Sequence, residues 1–397
     1  SAYHNPDLVV VSPGIPLNLT FIRRMKAAGI PVIGEIELAF QFMKAPVVAI
    51  TGTNGKTTTT ALTGEIFRLG GTAPEIVGNI GVPAIAKAEL LGPESYYIME
   101  ISSFQLETIQ QFRPNVASLL NVTPDHLNRH LTMEHYTHLK HRIFENQNED
   151  DTAVLNADDE VCMNYKGTFI SKKMLFSRKL TLKEGIFIEK GLIRVRWHDK
   201  EVDVIPVNKI LIPGNHNLEN ALAAVGMAVA AGVSIEAIEE GLRSFQGVAH
   251  RIEEVAIINS VTYINDSKAT NPDAAIKAIE AVKAPILLLA GGMDKKNDFT
   301  AFIQSIQKKV RHLFVYGETA TQLVETAELQ GFRHYTKVRD LEEALTSAKA
   351  MARAGDTILL SPACASWDMY PSYEARGDHF KRLVNKMVEA SGSALVN

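Results

Sequence analysis

The sequence predicts an α/β protein whose strands are gathered into parallel, doubly wound sheets. Three observations carry that expectation. Short apolar strands alternate with helical stretches along most of the chain. The alternation comes in two series, one opening at Pro46 and one near Gly247. The first series begins with a Gly-rich turn set between an apolar strand and a helix.

Taken in order, Asp7–Ser12 reads as a strand, Pro13-Gly14 as a turn and Thr20–Ala28 as a helix stopped by Gly29. Pro31-Val32-Ile33 then reads as a strand and Glu35–Met43 as a helix. One and a half β-α units cannot cover a sheet on both faces. This segment is therefore expected to pack on the rest of the chain or to lack a preceding piece. From Pro46 the pattern sharpens: strand Val47–Ile50, the Gly-rich turn, and a Thr-rich helix to about Leu69. Tyr96–Ile101, Ala117–Val122 and Thr152–Asn156 read as further buried strands. Between about Phe169 and Leu211, short alternating strands with turns at Glu184-Gly185 and Lys190-Gly191 suggest a small antiparallel insertion. Helices Leu218–Ala231 and Ser234–Phe245 lead into the second series, with strands Thr262–Asn265, Ile286–Ala290, His312–Tyr316 and Thr357–Leu360. The expected domains are 1–45, 46–247 and 248–397.

The bulk numbers agree with a soluble globular protein. A length of 397 residues suits two or three domains, and 46% hydrophobic with 22% charged residues is ordinary for such a chain. A formal net charge of −4 offers no electrostatic reason for nucleic acid or an anionic membrane as partner. Cys162 and Cys364 lie far apart and form no CxxC, which suits a reducing compartment. Ala221–Gly232, the longest apolar helical stretch, is shorter than the roughly 20 residues a membrane span takes. With no signal-peptide pattern, a cytoplasmic protein without membrane insertion is expected.

The strongest local chemistry lies in Thr51-Gly52-Thr53-Asn54-Gly55-Lys56-Thr57-Thr58. Glycines and small residues let backbone N–H groups approach phosphate oxygens, and the helix amino terminus adds positive potential. Lys56 would reach the β- and γ-phosphates, and the Thr57 hydroxyl would ligate Mg²⁺. The loop is a shortened form of the general phosphate loop, with Ile50 at the place of its first glycine. Ligands of open α/β sheets bind beyond the carboxyl ends of strands. Glu100 ends one predicted strand and His126 follows another, so the pair suits a second divalent cation near the γ-phosphate.

Further blocks occur in a fixed order: GNIG (78–81), MEISSFQLE (99–107), NVTPDHLNRH (121–130), HNLENALAA (216–224), HRIE (250–253), NDSKATN (265–271), GGMDKKNDF (291–299) and SPACASWDMY (361–370). With the phosphate loop, they resemble the Mur ligases of peptidoglycan synthesis, most closely the member that adds D-glutamate. The resemblance covers essentially the whole chain and implies a bacterial, monomeric enzyme. It implies a three-domain α/β architecture: a truncated amino-terminal Rossmann-like domain, a central ATPase-like parallel sheet with a small antiparallel insertion, and a carboxy-terminal Rossmann-like domain. In the family the first domain starts with a strand and a Gly-containing turn that grip uridine diphosphate. Here only the later part, with Ser12-Pro13-Gly14, is expected, as a remnant of that domain.

The same resemblance implies the site. ATP would be held by Gly52, Thr53, Asn54, Gly55, Lys56, Thr57 and Thr58, with Asn217 and Asn220 toward the adenine and Arg251, Asp266 and Lys268 closing from the carboxy-terminal domain. Two Mg²⁺ ions would be ligated, the first by Thr57 and Glu100, the second by His126. Lys140 matches a lysine that family members carry as a carbamate, whose anionic oxygens suit Mg²⁺ as a free amine does not. Lys56, His126 and Lys140 are the expected catalytic residues. Gly14, Asn79 and His126 would contact UDP-N-acetylmuramoyl-L-alanine, and Thr270, Lys295, Ser366 and Tyr373 the D-glutamate, with Tyr373 standing where the family typically has Phe. Cys364 reads as a small buried residue.

The implied reaction is ADP-forming amide ligation. The nucleotide's carboxylate attacks the γ-phosphorus, and the D-glutamate amine then attacks the acyl-phosphate. Sites shared among three domains imply closure on binding. Another Mur member or a folylpolyglutamate synthase-like ligase is the alternative. No Asp-Asn-Pro-Arg motif of the diaminopimelate or lysine adder occurs, and Asn54 stands where the L-alanine adder has His. A guanine-nucleotide switch would need Asn-Lys-x-Asp, which is absent, and a silent binding homologue would not keep Lys56, Glu100, His126 and Lys140 together.

Overall fold

A computed structural model describes residues 6–79, 82–125, 127–164, 170–212, 214–294 and 297–391. The chain forms two compact units, Ser1–Gln246 and Gly247–Asn397.

In the first unit, β1 (Val9–Val11) and β2 (Val32–Gly34) pair in parallel across the helix Thr20–Ala27. Their own apolar cluster is small, centred on Val11, Ile22 and Val32. The helix Glu35–Phe40 continues from β2 and packs on the main sheet, with Ile36 and Ala39 fully buried beside Tyr97 and Met99. Glu37 anchors it. That side chain is 1% exposed, and its carboxylate accepts the N–H groups of Gln110 (2.8 Å), Gln111 (2.8 Å) and Phe112 (3.0 Å). Through this helix the segment packs on the rest of the chain.

The main sheet holds β3 (Val47–Thr51), β4 (Glu75–Gly78), β5 (Tyr97–Glu100), β6 (Val116–Leu119), β7 (Thr152–Asn156), β8 (Lys172–Ser177), β9 (Gly185–Glu189), β10 (Leu192–Trp197) and β11 (Lys200–Pro206). Its order is β11-β10-β9-β8-β7-β6-β3-β5-β4. The antiparallel strands expected between about 169 and 211 are present as β9-β10-β11, a meander that extends the same sheet, but β8 runs parallel to its neighbours β7 and β9. Gly turns announced the meander, but the parallel seam at β8 is a long-range pairing that local alternation does not encode.

Successive residues of a strand face opposite sides of its sheet. Val48, Ile50, Ile98 and Val116 accordingly pack under the helices Lys56–Leu69, Asn215–Ala230 and Ile235–Ser244. Val47, Ala49, Tyr97, Met99 and Ala117 face the other layer, which includes Tyr136 of the helix Met133–His141. Fully buried β3, β5 and β6 with no polar outward face are what a doubly covered parallel sheet requires.

The second unit is a six-stranded sheet of β12 (Glu253–Ile258), β13 (Val261–Asn265), β14 (Ile286–Gly291), β15 (Val310–Tyr316), β16 (Tyr335–Lys337) and β17 (Thr357–Leu360), in the order β12-β13-β17-β14-β15-β16. Only β12 runs antiparallel to its neighbour. Helices Pro272–Ala281, Thr300–Ile306 and Ala320–Leu329 cover one face; Leu341–Met351 and Tyr373–Ser391 cover the other. Among the described residues no helix is long and apolar enough to cross a membrane.

Candidate active site

The phosphate-loop region lies at the carboxyl ends of three neighbouring strands. β3 sits between β5 and β6, with Ile50 beside Glu100 and Thr51 beside Leu119. That register brings the loop after β3, the carboxylate ending β5 and the Asn121–Thr123 segment after β6 to one edge.

Gly55 precedes the helix Lys56–Leu69 with φ of 86°, a left-handed conformation that glycine adopts without strain. A Cβ there would also collide with the Asn220 side-chain oxygen. The loop is clamped from outside. Asn121 accepts the Asn54 N–H at 2.9 Å and donates its amide to the Asn54 carbonyl at 3.0 Å. The Thr53 hydroxyl donates to the Thr123 carbonyl at 3.1 Å, accepts the Thr123 N–H at 3.0 Å and lies 3.2 Å from the Tyr136 hydroxyl. Asn121 was not among the predicted site residues, although it begins one of the ordered blocks. Nothing local to it marks a loop clamp.

Two lysines converge on this loop. Lys56 Nζ donates to the carbonyls of Gly52 and Thr53, both at 2.9 Å. Lys140, on the helix Met133–His141, donates to the same Gly52 carbonyl at 2.7 Å and stands 4.7 Å from the centre of the Tyr136 ring. It is 1% exposed. Burial first, then repulsion from Lys56, holds its amine well below the usual lysine range. In the sequence only the family resemblance singles out Lys140. The fold makes it a buried amine beside the phosphate loop.

Glu100 is 2% exposed. Its Oε1 accepts the Asn79 amide at 2.8 Å, while Oε2 is buried with no hydrogen-bond partner among the described residues. Asn79 is held there because its own N–H donates to the Glu100 carbonyl at 2.8 Å. An orphaned buried carboxylate oxygen is costly unless a cation or donor completes it. Thr57 and Thr58 are buried in the first turn of the loop helix. Asn217 and Asn220 are buried too; the Asn220 amide donates to Asn217 Oδ1 at 3.0 Å while its oxygen abuts Gly55. His126 lies outside the described residues. Among those described, no three His, Cys, Asp or Glu side chains group closely enough to hold a metal by themselves. Gly14 is exposed, and a Cβ there would meet nothing within 4 Å.

In the second unit Asp266, Lys268 and Thr270 lie on the loop after β13 and Ser366 on the loop after β17, while Arg251 precedes β12 and Tyr373 opens the last helix. Asp266 is buried, with one oxygen accepting the Ser361 hydroxyl at 2.7 Å and the other the Ile252 N–H at 3.2 Å. Burial, the largest influence, pushes its carboxyl up to about 7. Lys268 Nζ lies 5.4 Å from the centre of the Tyr373 ring. Arg251 sits between two residues of left-handed backbone, His250 (φ 64°) and Ile252 (φ 46°), and Ser366 is buried. Thr270 is half-buried two residues beyond Lys268, to whose carbonyl its N–H donates at 2.9 Å. Lys295 lies outside the described residues. Cys364 is fully buried, and burial pushes its thiol up to about 11, so it is a packed, uncharged side chain.

Residues 50–228 match the model of the Mur ligase middle domain and residues 250–364 that of the Mur ligase glutamate ligase domain. A UDP-N-acetylmuramoylalanine–D-glutamate ligase of Alkaliphilus metalliredigens is 57% identical over 381 residues, spanning 96% of this chain and 84% of that protein. The chain belongs to the Mur ligase family. A relative of the same name from Clostridioides difficile is 46% identical to this Mur ligase over 382 residues, with 96% and 84% of the two chains covered. Solved structures show the shared fold. MurF ligase from Thermotoga maritima in complex with ADP superposes with a TM-score of 0.63 at 17% identity, covering 96% of this Mur ligase and 95% of that chain. UDP-N-acetylmuramate-alanine ligase MurC from the same organism gives 0.62 at 19%, covering 98% and 87%.

Proposed function

We infer that this Mur ligase joins D-glutamate to UDP-N-acetylmuramoyl-L-alanine at the expense of ATP, releasing ADP and phosphate. The observation that carries the reading is the convergence of Lys56, the buried Lys140 amine and the half-satisfied Glu100 carboxylate around one phosphate loop. The names borne by relatives at 46–57% identity support D-glutamate as the amino acid.

Lys56 and the loop amides bind the β- and γ-phosphates and offset the charge that develops as the nucleotide's carboxylate attacks the γ-phosphorus. Lys56 is already at the loop, so reaching a phosphate means exchanging two carbonyl acceptors for phosphate oxygens. The residues fit Mg²⁺, which characteristically takes one or two carboxylates together with substrate phosphates. Thr57 and Glu100 would hold one ion, with Glu100 Oε2 as the donor otherwise unsatisfied. When bound, Mg²⁺ supplies charge neutralisation on the transferring phosphoryl group.

Lys140 has the properties a carbamate-forming lysine needs. Its depressed basicity supplies neutral amine, the form that adds CO₂ to give an N-carboxylate and release a proton. With His126 it would complete the second cation site. Asn217 and Asn220 brace the loop beside the nucleotide base, and Arg251, Asp266 and Lys268 complete ATP binding. Gly14 and Asn79 contact the acceptor nucleotide, while Thr270, Lys295, Ser366 and Tyr373 orient D-glutamate so that its amine attacks the acyl-phosphate. Positioning and electrostatics do the catalytic work, with no covalent enzyme intermediate.

The test is phosphate release with Mg·ATP, UDP-N-acetylmuramoyl-L-alanine and a panel of amino acids. Turnover with D-glutamate alone is expected. Turnover with L-lysine or diaminopimelate but not D-glutamate would overturn the assignment.

A further inference from the structure

The largest fully buried side chain among the described residues is an arginine, Arg376, on the helix Tyr373–Ser391. A buried guanidinium ordinarily has a carboxylate beside it. This one instead donates four hydrogen bonds to neutral oxygens. Nε reaches the Ser267 hydroxyl at 3.0 Å and Nη2 the Ser267 carbonyl at 2.9 Å. On the other side Nη2 reaches the Cys364 carbonyl at 3.0 Å and Nη1 the Ala365 carbonyl at 3.3 Å. The Ser267 hydroxyl in turn donates to the Tyr373 carbonyl at 2.8 Å. Gly292 leaves room for the group, since a Cβ there would stand 3.2 Å from Nη1.

These acceptors belong to two loops, which the Ser361–Asp266 hydrogen bond joins at their near ends. One follows β13 and carries Ser267 and Thr270; the other follows β17 and carries Ala365 and Ser366. Tyr373 opens the helix that supplies the guanidinium. Of the residues assigned to the amino acid, Ser366 follows a carbonyl this side chain holds, Tyr373 accepts from the Ser267 hydroxyl it holds, and Thr270 lies three residues further along the Ser267 loop. Desolvating a cation without an ion-pair partner is expensive, and a neutral staple would join two loops at lower cost. Retaining the charge is explained if an anion is to be bound nearby. Two carboxylates feel that charge, Asp266 and Asp368; burial, the largest influence on each, pushes Asp266 up to about 7 and raises Asp368, so at neutral pH they offset the charge only in part.

We propose that Arg376 is a positioning residue for the acceptor amino acid: it locks the β13 and β17 loops together and supplies the positive potential that favours a dicarboxylate there. The proposal rests on the D-glutamate reading above. Steady-state kinetics of Arg376→Lys and Arg376→Met would test it, with melting temperatures as a fold control and D-glutamine as a neutral competitor of the same shape. Both variants should raise KM for D-glutamate by about tenfold or more, the effect of losing one charge-assisted contact, with KM for ATP within about twofold. Arg376→Lys keeps the charge and should retain the preference for D-glutamate over D-glutamine, while Arg376→Met should lose most of it. A purely structural role would raise all KM values together or lower kcat alone, and either result overturns the proposal. So does an unchanged KM for D-glutamate. If Arg376→Met does not fold, the KM split in Arg376→Lys decides. Failure of the unmodified enzyme to use D-glutamate would instead refute the substrate reading, so the two failures are separable.

Discussion

Replacing Lys140 by Met should separate stability from activity. Methionine keeps the unbranched stem but removes the amine and its burial penalty. The lost bond is the 2.7 Å donation to the Gly52 carbonyl, and that acceptor keeps Lys56 at 2.9 Å. The acceptor is not orphaned, so the loss costs about 1 kcal/mol. Relief from desolvating an ammonium is worth several kcal/mol in buried sites, of which only part is recovered after relaxation. The metal-free protein should therefore be unchanged or more stable by about 1–3 kcal/mol. For a unit of this size that is a rise of roughly 2–10 °C in melting temperature. Turnover should fall by about a thousandfold or more, equivalent to about 4 kcal/mol of lost transition-state stabilisation.

The pH dependence has a definite sign. Lys140 has a folded-state pKa below its ordinary 10.5, so the unfolded chain binds the extra proton between the two values. Stability of the unmodified protein therefore rises with pH up to that ordinary value and is lost as pH falls through the folded-state value. Lys140→Met should flatten that slope. Differential scanning calorimetry in chelator, paired with phosphate-release assays, checks both halves. Turnover within tenfold of the parent would remove Lys140 from the machinery, and a large drop in melting temperature would make it a structural residue instead.

Three further outcomes are expected. Asn121→Ala removes both bonds that clamp Asn54, so ATP affinity measured by calorimetry should weaken by about tenfold, or roughly 1.4 kcal/mol, with little change in D-glutamate KM. Glu37→Ala leaves three backbone N–H groups without their acceptor and should cost about 3–5 kcal/mol in urea unfolding. The carboxyl of Asp266, raised from 3.8 to about 7, stabilises the fold most below pH 3.8, and that contribution is lost as pH rises through 7. The melting temperature of Asp266→Asn relative to the parent should thus increase from pH 5 to pH 8; a constant difference would mean that the carboxyl titrates normally.

The sequence by itself determined the α/β class, most strands of both sheets and the phosphate loop, because apolar runs, glycines and a Gly-Lys-Thr turn act within a few residues of one another. It also determined the family, through blocks whose order is a property of the chain. Short or edge strands such as β4, β12 and β16 went unread, since three to six residues carry too little periodicity. The parallel seam at β8 and the anchoring of Glu37 under the 110–112 backbone are pairings between distant segments, and only folding makes them. The same holds at the site. Glu100 was legible as a strand-terminal carboxylate suited to a cation, and Lys140 only through the family resemblance; neither environment could be read. β5 lying beside β3 and the helix Met133–His141 packing across the sheet turned them into an orphaned buried oxygen and a depressed buried amine. Arg376 gave no local signal, because burial and the choice of hydrogen-bond partners are tertiary quantities.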